Sequence, residues 1–325
     1  MKQRREFLQL SAATLAAASL PSLAQDAYPS KPITMVVPFP PGGVADTVGR
    51  PVAEAMGRAL GQSMIVENKG GAGGGIGMAQ VAKSKADGYS VLMALSSVVV
   101  LPEADKILKR TPLFTLDQLK PVARFTADPT ALVVRAESPW KTYQEFIAHA
   151  KSNPGAVTFG SSGNYGTMHV PMEQLKAATS SFMLHVPYTG AGPAVLALLS
   201  GQVDALSTGP SSVMQHVRAG KLRVLTHWGE SRLSALPEVP TLKEVGVPVS
   251  YSQWSGLFVP AGTPEAVVAK LRQAAKAAAE DAKAKQALAA AGTYFQYQDM
   301  PEFERFVQSD AKAMAAVVQR IGQVQ

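Results

Sequence analysis

Between residues 33 and 227 short apolar runs alternate with longer amphipathic ones, a pattern that few architectures can satisfy. ITMVV (Ile33 to Val37) has the β-branched density of a buried strand and Asp46 to Leu60 the period of a helix; SMIVEN, Gly77 to Lys85 and YSVLMAL then repeat strand, helix, strand. The alternation resumes with TALVVRA, a helix from Thr142 to Lys151 stopped by Asn153-Pro154-Gly155, the strand VTFG, a helix from Met168 to Thr179, and HVPY. A helix from Gly192 to Leu199, the strand VDALS, a helical Ser211 to Ala219 and KLRVLTH complete it. Strands joined by helices of this length pair in parallel sheets covered on both faces, and two such successions predict two doubly wound α/β lobes. Two helices are expected at the end. One is Ala-rich, with Thr263 as N-cap and Pro264 as its first residue; the other runs from Asp299 to Ile321 with Phe303, Phe306, Met314 and Val318 on one face.

The first 24 residues are not part of that pattern. MKQRREFLQLSAATLAAASLPSLA has a basic start, an Ala/Leu stretch too short to span a bilayer and small residues before the junction, so a signal peptide of twin-arginine type, cleaved near Ala24, is expected. The chain has no cysteine, which excludes disulfides, thiolate chemistry and a lipidated Cys anchor. The expected location is therefore the periplasm, in unanchored form. Without that segment 28 basic residues face 23 acidic ones, scattered singly and without interleaved aromatics, so no nucleic-acid partner is expected.

PFPPGGVAD (Pro38 to Asp46) lies at the first strand-to-helix corner. Such a corner leaves the first N–H groups of the helix without partners, at the carboxyl edge of a sheet where ligands of open α/β folds sit. Pro38, Pro40 and Pro41 stiffen the approach, while Gly42 and Gly43 permit positive φ and close approach of a ligand. Backbone N–H groups from Gly42 through Val44 and Ala45 to Asp46 can then form a nest for an anionic oxygen. Equally, the glycines can simply make the turn while Asp46 caps the helix. VTFGSSGNYGTMH (Val157 to His169) repeats the arrangement in the second succession, with Ser161, Ser162, Asn164 and Thr167 as side-chain donors and Phe39 and Tyr165 as flat walls. Two facing lobes that each aim donors into one cleft can close on a small anion from both sides.

Other features stay open between a ligand role and a structural one. Ser96 and Ser97 end a strand near the same edge, and either reach the ligand or cap the next segment of chain. Tyr188 either enters the cleft or half-fills the core, and His169 is read as a structural partner of its loop. GGAGGGIG lacks the spacing of a phosphate loop and reads as a turn beside the cleft. The five histidines have no metal-site spacing, and no G-x-S-x-G or H-E-x-x-H occurs. No cofactor or metal is expected. A hydrolase using a serine of Gly160-Ser161-Ser162-Gly163 remains a lesser alternative, without an identifiable base.

In order along the chain, PFPPGGVAD, VENKGGAGGGIG, ADGYSVL, FGSSGNYGTMH, VPYTGAGPAVLALLSGQVDAL, VRAGKLRVL and GLFVPAGTPEAVVAKL resemble the motifs of the Bug family, the extracytoplasmic solute receptors of tripartite tricarboxylate transporters. The resemblance implies a type II periplasmic-binding-protein fold, with lobe 1 formed by residues 25–125 and 252–325 and lobe 2 by residues 126–251. It also implies a monomer that grips a small mono- or dicarboxylate, aliphatic or aromatic, and presents it to small and large permease subunits; a sensory receptor reporting to a membrane kinase is the alternative output. Carried over, the gripping loops are Phe39, Pro41 and Gly42 to Asp46 in one lobe. In the other they are Ser161, Ser162, Gly163, Asn164, Tyr165, Gly166, Thr167 and His169, with Tyr188 and Thr208 beside them. Two departures stand out. Tyr165 occupies the place of a family glycine, and Ser207-Thr208-Gly209 replaces an Asp that could meet a ligand ammonium, which favours carboxylates without an amino group.

Overall fold

The structure, a computed structural model, describes residues 28–323; the expected signal peptide lies outside the described residues. Two mixed sheets carry the fold. In the first, strands β1 (Ile33–Val37), β2 (Met64–Asn68), β3 (Ser90–Leu95), β4 (Leu119–Pro129), β10 (Ser252–Pro260) and β11 (Gln298–Asp299) lie in the order β11-β4-β10-β3-β1-β2. The second orders β5 (Ala131–Arg135), β6 (Thr158–Ser161), β7 (Leu184–Pro187), β8 (Ala205–Thr208) and β9 (Leu222–His227) as β7-β6-β8-β5-β9.

The sheets are not wholly parallel, as the alternation alone would have them. β10 runs antiparallel to β3 and β4, and β5 antiparallel to β8 and β9. Apart from β11, which runs antiparallel to β4, the strands that reverse are those at which the chain passes from one sheet to the other. β4 ends at Pro129 and β5 begins at Ala131, so Thr130 alone separates the sheets there. The return runs from His227 to Ser252, and the two crossings bond to each other: Trp228 N donates to Thr130 O at 2.9 Å and Tyr251 N to Trp228 O at 3.1 Å.

Helices cover the sheets, and those over Ser97–Ile107 and Ala282–Ala290 are not expected from the periodicity. Helix α1 (Val44–Leu60) opens on an extended Gly43 and closes on left-handed Gly61, whose N–H returns to Arg58 O. α2 (Gly75–Ala82) and α3 (Ser97–Ile107) follow β2 and β3; α4 (Tyr143–Ser152) starts at a Thr142–Glu145 capping box. α5 (Val170–Thr179), α6 (Ala191–Leu199) and the short α7 (Met214–Arg218) flank the second sheet's strands. α8 (Glu265–Glu280), α9 (Ala282–Ala290) and α10 (Glu302–Ile321) end the chain.

Several helix starts differ from expectation, two of them for a visible reason. Pro264 rather than Thr263 holds the cap position of α8, because the Thr263 hydroxyl donates back to Pro260 O at 2.7 Å. α10 starts at Glu302, since Gln298 and Asp299 pair with Arg124 and Ala123 of β4 as a strand. Its apolar face then meets the first sheet: the Phe303 ring lies 5.5 Å from Trp254 and 5.4 Å from Phe258, directly over Gly256, where any side chain would collide. Burying Phe303 contributes about 2–3 kcal/mol.

Candidate functional site

The first corner is built around one carboxylate. Asp46 accepts from Gly42 N at 3.1 Å, from Arg50 Nε at 3.1 Å and from Asn68 Nδ2 at 2.9 Å, and Asn68 Nδ2 also reaches Phe39 O. Burial alone would raise its pKa, but the Arg50, Asn68 and Gly42 hydrogen bonds outweigh it and hold the group below its usual range. Asp46 is therefore the fastener of the loop, neither a cap of α1 nor a group available to a ligand. The left-handed conformation falls at Gly42 (φ 81); Gly43 is extended (φ −88) and accepts from Asp46 N and Thr47 N. What remains is three consecutive N–H groups, of Gly43, Val44 and Ala45, with no acceptor among the described residues, at the positive end of a 17-residue helix. Phe39 is no open wall: its ring is 2% exposed and lies against Gly74, where an added methyl would stand 2.8 Å from Cζ.

The N-terminus of α6 meets this corner from the second sheet's side. A methyl added at Gly43 would lie 3.4 Å from Ala191 Cβ and 3.8 Å from both Ala191 N and Gly192 N. One added at Gly190 would stand 2.5 Å from Pro40 Cδ, and one at Gly192 2.5 Å from Pro41 O. The two helix starts thus face each other across glycines. A second close approach joins left-handed Gly163 to Gly73 in the glycine-rich turn, where a methyl on Gly163 would be 2.9 Å from Gly73 N. Beside the second approach a groove of about 770 Å³ is lined by Gly73, Leu101, Arg110, Phe114, exposed Asn164 and half-buried Tyr188, with Arg110 paired to Asp105 at 3.1 Å.

The second loop is held from beneath by two histidines. His169 Nδ1 accepts from Tyr165 N at 3.0 Å while its Nε2 stands 3.4 Å from Glu173 Oε1, and His185 Nε2 lies 2.6 Å from Ser161 Oγ. Gly163 N donates to that same hydroxyl at 3.0 Å, so Ser161 serves the shape of the loop. Burial, helped by the charges of His169 and Lys176, pushes His185 down to about 3, which keeps it neutral. It is the base that the sequence did not reveal for Ser161. Its other ring nitrogen has no carboxylate partner among the described residues, and Ser161 is fully buried. Gly166 is required by space, since a methyl there would be 2.7 Å from Ser162 Oγ. Tyr165 is buried, with φ 56, and its phenol donates to Gly322 O, so it is a tie to the end of α10 and not an aromatic surface.

Gln253 crosses between the two halves and was not legible as a site residue. It sits at the start of β10, 1% exposed, and its Nε2 donates to Thr167 Oγ1 at 2.7 Å. A methyl added at Gly209 would be 2.7 Å from Gln253 Oε1 and 2.8 Å from Val44 Cγ2, so the amide lies between the first residue of α1 and the end of β8. Gln253 Oε1 has no hydrogen-bond partner, and neither do the buried hydroxyls of Ser97, Ser162 and Ser207. The neighbouring hydroxyls are used internally: Thr208 Oγ1 bonds Ser212 Oγ at 2.8 Å and Ser96 Oγ bonds the Tyr251 phenol at 3.2 Å. Buried polar atoms left without partners are costly unless something satisfies them.

The family model of the tripartite tricarboxylate transporter family receptor matches residues 48–323. The chain belongs to that family. The receptor resembles the solved periplasmic binding protein BugD at 30% identity, with a TM-score of 0.85 over 91% of this chain and 99% of that one. MatC of Rhodopseudomonas palustris, solved with bound malate, is 30% identical with a TM-score of 0.83 over 90% of this chain and all of that one. A further R. palustris protein, solved with adipate, is 26% identical with a TM-score of 0.85, over 91% and 98% of the two chains. The receptor thus has the fold of the periplasmic binding proteins, its two sheets forming the two lobes. No helix among the described residues is long and apolar enough to cross a membrane.

Proposed function

We propose that the receptor closes on a small mono- or dicarboxylate and presents it to the membrane permease subunits of a tripartite carrier, as an exported monomer without enzymatic activity. The observation that carries this is the set of free Gly43, Val44 and Ala45 N–H groups at the start of α1, faced by the start of α6. One carboxylate oxygen pair can take the N–H groups of one lobe while hydroxyls of the other complete its shell. Lobe 1 then comprises residues 31–129 and 252–323 and lobe 2 residues 130–251, with the bonded crossings as hinge. Ligand favours closure because only the closed cleft supplies donors from both lobes. On this reading the Ser161–His185 contact shapes a binding loop. The malate and adipate held by two relatives support a carboxylate ligand. A thermal-shift screen tests it: carboxylates without an amino group should raise the midpoint more than aspartate or glutamate, and a screen in which no carboxylate shifts it would overturn the proposal.

A further inference from the structure

Resting on that proposal, we infer that Gln253 determines which carboxylates the cleft accepts, by reading the substituent on the carbon next to the bound carboxylate and selecting a hydroxyl there. If the carboxylate lies on the N–H groups of Gly43 to Ala45, the next carbon stands over the first residue of α1. A methyl on Gly209 would touch both Gln253 Oε1, at 2.7 Å, and Val44 Cγ2, at 2.8 Å, so Oε1 lies near that first residue, buried and without a partner. Its other amide atom is held by Thr167 of the second loop. The amide is thus fixed at one end and unsatisfied at the other, and the occupant of the cleft decides whether it stays so.

Three substituents behave differently there. Hydrogen leaves the amide unpaired in a dry site, at the cost of a buried unsatisfied polar group. A hydroxyl satisfies it in either orientation, donating to Oε1 or, if the Thr167 hydroxyl donates instead, accepting from the amide NH2. An ammonium can donate to Oε1 but carries a full charge into a place where the amide itself, the Gly209 backbone and the Val44 side chain are all neutral. The fixed dipoles nearby are the starts of α1 and α6, which repel a cation. Asp46, the closest carboxylate on α1, is consumed by Arg50, Asn68 and Gly42. A charge that Gln253 lacks is what an amino acid would need, and a carboxylate at 253 would supply it.

Titration calorimetry with three sets matched at that carbon tests this: propionate, lactate and alanine; succinate, malate and aspartate; phenylacetate, mandelate and phenylglycine. In whichever set binds, the wild type should hold the hydroxy acid on the order of tenfold more tightly than the unsubstituted acid, and the amino acid most weakly. Gln253→Glu should reverse the order, weakening the hydroxy acid at least tenfold and making the amino acid the preferred member. Amino-acid affinity in that variant should rise with pH as the new buried carboxylate ionises, a change that a merely structural residue would not produce. Gln253→Leu, which keeps the bulk, should erase the preference for hydroxyl over hydrogen. An unchanged order in Gln253→Glu, with the wild type still binding one set, overturns the role of Gln253 and leaves the carboxylate proposal standing. A wild type that binds none of the nine, while the thermal-shift screen finds another carboxylate that it does bind, also overturns the role of Gln253; one that binds no carboxylate in either overturns both.

Discussion

The phenol of Tyr165 donates to the carbonyl of Gly322 at 2.6 Å, tying the loop after β6 to the last residue but one of the described chain. Among the described residues, Tyr165 is one of four non-glycine residues at positive φ. The family motif has glycine here, which takes that conformation without strain. The strain of a tyrosine in its place, of order 1–3 kcal/mol, persists because the ring is buried and its hydroxyl bonded. α10 packs on the first sheet through Phe303, so the bond joins lobe to lobe.

Tyr165→Phe should therefore weaken ligand binding two- to tenfold, the worth of one net hydrogen bond of about 0.5–1.5 kcal/mol, with little change in the midpoint of the ligand-free protein. Calorimetry and thermal unfolding check this. Equal loss in both would mean that the bond serves the fold and not closure.

Asp46→Asn should destabilise the protein by about 1–3 kcal/mol, because the negative charge facing Arg50 and one of the two oxygens shared among Gly42, Arg50 and Asn68 are replaced by an NH2 donor. The folded pKa of Asp46 lies below the ordinary 3.8, so its contribution is present above that value and is lost as pH falls through the depressed one. Urea unfolding at pH 7, 5 and 3 should show the gap between wild type and variant unchanged from 7 to 5 and shrinking at 3.

Asp128, at the end of β4 beside the first crossing, behaves in the opposite sense. Burial pushes it up to about 6 against a hydrogen bond from Thr293. The folded protein therefore prefers it protonated, and that preference is present below about 4 and lost as pH rises through 6. Asp128→Asn should be the more stable protein at pH 7.5, by roughly 1–3 kcal/mol, with the advantage vanishing by pH 4.

Gly190→Val places a side chain where a methyl already stands 2.5 Å from Pro40 Cδ, across the two helix starts. The lobes should then fail to close, and solution scattering of the variant with saturating ligand should keep the radius of gyration of the empty protein. Wild-type compaction in the variant would show that Pro40 can yield.

The strands that were legible are those whose apolar runs are bounded by Gly, Pro or Asn, such as Ile33–Val37 and Ala131–Arg135. β4 and β10 were not, although they are the longest. Their sequences, LKPVARFTADP and SQWSGLFVP, mix polar and apolar residues because they lie at the hinge, and their direction is set by partners more than a hundred residues away. The same distance hid half of the site. The first corner announced itself by Pro-Pro-Gly-Gly, but that Gly43 meets Ala191 and that Gln253 reaches Thr167 depends on how the lobes meet, which no local spacing encodes. The signal that could have pointed to Gln253 is slight: it is an amide in a stretch that is otherwise aromatic, hydroxyl and glycine, just where the chain returns to the first sheet.

The central claim is that a carboxylate sits on the first three N–H groups of α1 with both lobes around it, and a crystal structure of the protein grown with L-malate or adipate tests it most directly. The account predicts a carboxylate oxygen within about 2.7–3.2 Å of the N–H groups of Gly43, Val44 and Ala45, and a hydroxyl of Ser162 or Ser207 turned toward it. A ligand carboxylate bound instead to Arg110 in the groove beside Gly73, with those N–H groups left to solvent, would contradict it.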